Sequence, residues 1–94
     1  MTYNFIINNI DIAVENITWQ RKSFTDGTQL VKGPWECFIE AEYQNNTAKI
    51  SDISGLDVGP YEIKQNNVNI VSLMYFKELT YDKDNIFITL TEKL

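Results

Sequence analysis

The chain has no histidine, and that absence removes a large part of enzyme chemistry. Ser-His-Asp and Cys-His nucleophilic arrangements need an imidazole to take the proton, and His-ligated sites for zinc, haem and non-haem iron need one as a nitrogen ligand. With a single cysteine, Cys37, neither a thiolate zinc site nor a disulfide framework can be built. Basic residues are also scarce: eight Lys and Arg stand against thirteen Asp and Glu, for a net charge of −5. Such a chain is a poor ligand for phosphate backbones or anionic lipid, because affinity for both comes chiefly from Lys and Arg. Gly-rich phosphate loops, Walker sequences and dinucleotide fingerprints are missing. Two Pro, four Gly and no low-complexity tract argue against extended disorder. The most apolar stretch, Ile70 to Phe76, is far too short to cross a bilayer, and the amino terminus lacks the basic and long apolar regions of a secretory signal. The expectation is a cytoplasmic protein with no metal or cofactor, in direct contact with neither nucleic acid nor membrane.

What the sequence does have is Asn, in three adjacent pairs: Asn8-Asn9, Asn45-Asn46 and Asn66-Asn67. A two-residue hairpin loop of the I′ type needs positive φ at both central positions, which Asn tolerates better than any residue but Gly. Folding the chain back at each pair tests the idea. Around Asn8-Asn9, Ile7 meets Ile10, Phe5 meets Ile12 and Tyr3 meets Val14, while Ile6/Asp11, Asn4/Ala13 and Thr2/Glu15 take the other face. Around Asn45-Asn46, Tyr43 meets Ala48 and Ala41 meets Ile50, with Gln44/Thr47 and an ion pair Glu42/Lys49 behind. Around Asn66-Asn67 the pairs are Ile63/Ile70 and Gln65/Val68, then Lys64/Asn69 and Glu62/Val71. A fourth reversal at Lys83-Asp84 sets Tyr81 against Ile86 and Leu79 against Ile88, with Thr80/Phe87 and Glu78/Thr89 behind. Asp26-Gly27 marks a further hairpin, and Lys32-Gly33-Pro34 a break before Trp35.

Strands are therefore expected near 2–8, 9–19, 20–25, 28–32, 35–44, 47–53, 61–65, 68–75, 75–81 and 86–91, some continuous through bends. The spacing predicts one all-β domain over residues 1–94, an antiparallel meander closing as a small barrel or sandwich. Helix should be little or none beyond a short one within 69–79 or 35–44. Trp35, Phe38, Ile39 and Tyr43 have helical spacing, yet the alternation Trp35, Cys37, Ile39, Ala41, Tyr43 runs in register into the Asn45-Asn46 turn and favours the strand. Trp19, Trp35 and Cys37 share parity with apolar neighbours and are assigned to the core.

Carboxylates are the remaining source of chemistry. Asp82-Lys83-Asp84-Asn85 has the start of a calcium loop, but Phe87 and Lys93 stand where that loop needs its Gly and terminal Glu. Asp52, Asp57 and Glu62 flank the irregular segment from Asp52 to Pro60 and offer an alternative as a carboxylate-dependent enzyme or carbohydrate binder, although their spacing does not demand it. The preferred site is the outer face of the strand from Trp35, where Glu36, Phe38, Glu40 and Glu42 point the same way. Same-face residues on a strand lie roughly 6.5–7 Å apart, close to the phosphate spacing of an extended nucleic-acid strand. The row would thus imitate phosphates before a basic cleft, with Phe38 as a buried anchor. The expected function is non-enzymatic: a protein–protein binding module, such as an immunity-type stoichiometric inhibitor of a basic toxin, nuclease or defence enzyme. The alternative is a structural or assembly protein, for example a phage particle component. Oligomeric state stays open.

Overall fold

The computed structural model describes residues 3–66 and 73–93. The chain runs β1 (Tyr3–Ile7), β2 (Ile10–Val14), β3 (Asn16–Asp26), β4 (Gln29–Glu42), a 3₁₀ turn (Gln44–Asn46), α1 (Thr47–Ser54), β5 (Tyr61–Gln65), β6 (Leu73–Tyr81) and β7 (Asn85–Thr91). Seven strands form one antiparallel sheet in the order β2-β1-β5-β6-β7-β4-β3. The all-β expectation holds, but the sheet is not closed into a barrel.

Three reversals fold as their sequences dictate. Asn8 and Asn9 take φ of 48° and 67°, the positive values of a I′ loop, and β1 pairs β2 in the register Phe5↔Ile12, Ile7↔Ile10. At Lys83-Asp84, Tyr81↔Ile86 and Leu79↔Ile88 likewise pair as expected. Asp82 shapes that turn, its carboxylate accepting the N–H groups of Asp84 at 2.7 Å and Asn85 at 2.9 Å. Asp26-Gly27 is a hairpin too, with Gly27 at φ 67° and Asp26 opposite Gln29.

Asn45-Asn46 is not a hairpin. After β4 the chain winds through the 3₁₀ turn into α1, so the strand expected at 47–53 is a helix and the Glu42/Lys49 pair does not form. The reason lies in which residues the core can accept. A strand that buried Ala48 and Ile50 would also bury Asp52 and expose Ile53. A helix instead turns Ile50 and Ile53, three apart, to the core and leaves Asp52 in solvent. The helix expected as an option within 35–44 is absent, because β4 is continuous there, and 69–79 is strand from Leu73 onward.

The Asn66-Asn67 pairs Ile63/Ile70, Gln65/Val68 and Lys64/Asn69 lie outside the described residues. Glu62, however, sits opposite Leu73 rather than Val71. That displacement by two residues preserves the faces, and Ile63 and Met74 are both buried.

The two edge strands, β2 and β3, are consecutive in the chain and separated only by Glu15. The sheet therefore curls until its ends approach, and the Glu15 N–H donates to the Glu40 carbonyl at 2.8 Å. Inside the curl lie Phe5, Ile7, Ile12, Val14, Cys37, Ile39, Ala41, Ile63, Met74, Ile86, Ile88 and Leu90, closed at one end by Ile50 and Ile53 of α1. Trp19 and Trp35 are half-buried rather than core. They meet edge to face at 6.5 Å, and Arg21 lies 5.2 Å above the Trp35 ring.

One part leaves the body. β7 pairs β4 from Glu36 to Glu42, and the Glu92 N–H donates to the Trp35 carbonyl at 2.8 Å, so the stretch from Arg21 to Trp35 is a two-stranded arm rooted at Trp35, in which residues 21–30 are all exposed. Its reach of about 20 Å, from six residues at ~3.3 Å each, fits molecular dimensions of 49 × 24 × 24 Å. A bulge kinks its base where the register shifts between Arg21 and Ser23. Gly33 is required there, since a Cβ would sit 2.8 Å from the Lys22 carbonyl oxygen.

Candidate functional site

Alternation along β4 separates its side chains as the sequence implies. Cys37, Ile39 and Ala41 are buried, and Glu36, Phe38, Glu40 and Glu42 occupy the opposite face. This holds without the Asn45-Asn46 hairpin because β3 and β7, flanking β4, fix its orientation instead: Thr18 and Thr89 both lie opposite Phe38, and Asn16 and Phe87 opposite Glu40.

The four residues are not equivalent. Glu36 forms an ion pair with Lys77 at 3.0 Å, and its side chain is only 19% exposed. The bulge between Phe76 and Glu78 places Lys77 for this contact, which spans β7 above the buried Thr91. Glu40 accepts a hydrogen bond from Asn16 Nδ2 at 2.8 Å, and Glu42 one from Asn45 Nδ2 at 2.9 Å. Among the described residues no Lys or Arg pairs with Glu40, Glu42 or the nearby Glu78. Glu40 and Glu42 are thus held in place by neutral partners, with no cation paired to either among the described residues.

Phe38 is 37% exposed, and Phe87, which the sequence reading left out of the site, is 43% exposed. The two are diagonal neighbours on one face, since Phe38 pairs Thr89 and Phe87 pairs Glu40. They line a shallow groove of about 240 Å³ with Asn16, Thr18, Glu40 and Thr89. The signal for Phe87 was in the sequence: it falls between Ile86 and Ile88, so the parity that buries them turns it outward.

The other carboxylates do not converge. Asp52 lies on α1, Asp57 in the loop after it, and Glu62 on β5, where it pairs with Lys64 at 3.5 Å. Among the described residues no group of three metal-ligating side chains is found, and no helix is long and apolar enough to cross a membrane. Burial pushes the Cys37 thiol up to about 12, which makes it unreactive. Comparison with protein-family models gave no match, and neither curated proteins nor solved structures gave one.

Proposed function

We propose that the chain is a non-enzymatic protein–protein binding module that takes a basic partner on the outer face of β4 and β7. One observation carries this reading: Phe38 and Phe87 stand exposed side by side, flanked by Glu40, Glu42 and Glu78, which no Lys or Arg pairs among the described residues. Protein interfaces commonly combine an aromatic centre with a polar rim. Here the rim would steer a cationic surface and the phenylalanines would add affinity by desolvation. Glu36 contributes less than its position in the row implied, because Lys77 already occupies it. A basic toxin, nuclease or defence enzyme held in stoichiometric complex fits this chemistry. The lone unreactive thiol suits a reducing, cytoplasmic setting.

The experiment is capture of partners from native cell extract by wild type and by the double variant Glu40→Lys, Glu42→Lys, followed by titration of the purified partner. The reading expects a basic protein whose Kd rises about tenfold or more in the variant and rises with salt in wild type. Equal binding by both forms would overturn it.

A further inference from the structure

The charge of the molecule is unevenly divided. Residues 21–35 hold three of the eight basic residues but one of the thirteen acidic ones, so the arm carries +2 and the remainder −7. The arm also exposes large apolar side chains: Leu30 is 71% exposed and Phe24 is 54% exposed, with Val31 directly opposite Phe24. A groove of about 440 Å³ at its base is lined by Arg21, Phe24, Val31 and Lys32. A two-stranded ribbon with no layer behind it is marginal in water, and it gains most by docking on a second surface. The groove face of Phe38 and Phe87 has the opposite character, apolar at the centre and acidic at the rim. Phe38 of the face and Leu30 of the arm both lie on β4, some 26 Å apart for eight residues of strand at ~3.3 Å each, so an arm cannot reach its own molecule's face.

We infer that the Phe38–Phe87 face of one molecule receives the Arg21–Trp35 arm of a second copy, head to tail. The inference rests on the reading of that face as a docking surface for cationic protein, and it names a second copy of this chain as an occupant. The contact joins two different surfaces, so it is heterologous: each molecule keeps one free arm and one free face, and association proceeds to a ring or an open chain. Self-docking also covers Glu40 and Glu42, so any foreign basic partner has to compete with it.

The test is sedimentation velocity from micromolar to millimolar protein, at low and high salt. One variant disables the face (Phe38→Ser, Phe87→Ser) and another the arm (Phe24→Ser, Leu30→Ser). All four side chains are exposed, and circular dichroism checks that each variant folds. Wild type should grow with concentration beyond a dimer, to more than about twofold in average mass, and revert in high salt. Each variant alone should remain a monomer. Mixed together they should form a one-to-one dimer and nothing larger, because only one intact arm and one intact face remain. Wild type that stays monomeric at low salt, a mixture that fails to pair, or an arm variant that still self-associates would each overturn the inference. If wild type is monomeric while Glu40→Lys, Glu42→Lys still loses the captured basic partner, the arm contact fails and the reading of the face survives. If neither association depends on the face, both fail.

Discussion

The carboxamide of Asn46 binds both backbone groups of Ala13, 33 residues away: Oδ1 accepts the Ala13 N–H at 3.0 Å and Nδ2 donates to the Ala13 carbonyl at 2.9 Å. Nδ2 also donates to the Glu42 carbonyl at 2.8 Å. Asn46 is 2% exposed and precedes α1 at the N-cap position, yet its side chain makes no capping bond. It serves as a one-residue strand, filling the edge of β2 and tying it to the end of β4. Asn46→Ala leaves these backbone groups without partners, and stability should fall by about 2–4 kcal/mol, which lowers Tm by roughly 10–20 °C in a domain of this size. Asn46→Asp should be worse at neutral pH, since a carboxylate would face two carbonyl oxygens. Thermal and urea unfolding of both variants measure this.

The Asn pairs should answer differently to one substitution. Asn8→Val forces a β-branched residue to φ 48° and should cost about 1–2 kcal/mol. Asn45→Val, at an exposed position in the 3₁₀ turn, should change stability by about 0.5 kcal/mol or less. Equal losses in urea unfolding would contradict the distinction between a I′ loop and a helical entry.

Asp82 connects the β6–β7 turn to pH. The N–H groups of Asn85 and Asp84 hold its carboxyl below the ordinary carboxylate value. A depressed folded pKa means that the unfolded chain binds the proton more readily, so this contribution is present above the unfolded pKa and is lost as pH falls through the folded one. Asp82→Ala should therefore lower Tm at neutral pH, with the gap to wild type closing in acid. A gap independent of pH would show that the charge plays no part.

Cys37 should resist alkylation in the folded state. Its thiol is raised from 9.0 to about 12 by burial, so labelling should require unfolding and should accelerate sharply in denaturant. With the folded pKa above the unfolded one, this group's contribution is complete below pH 9 and declines between about pH 9 and 12. Rapid labelling under native conditions would show that the β4 core opens locally.

These cases mark where sequence pattern stops being sufficient. Asn8-Asn9 and Lys83-Asp84 were legible because a tight reversal and its register are settled by a few neighbouring residues. Asn45-Asn46 was misread because Asn46 is committed to Ala13, a partner no local rule can locate. The outer row of β4 was legible from alternation alone, whereas the loss of Glu36 to Lys77 depends on a contact across two strands. Phe24, Leu30 and Val31 have the composition of a core strand, and nothing local says that the sheet ends beneath them. Exposure of an apolar residue depends on which elements lie behind it, and that is a property of the whole topology.

An open sheet normally has two reactive ends, and stacking into fibrils needs both, since each added molecule must pair below and above. Here Ala13 and Glu15 at the β2 end are already bonded to Asn46 and Glu40, while β3, and β4 along the arm, keep unpaired edges. Strand addition is thus directed toward β3 and the arm and hindered at the β2 end, where the backbone groups of Ala13 are already taken. By bending one run of chain into both edges and bonding one of them to its own body, the fold makes its two ends unequal as templates for cross-β stacking.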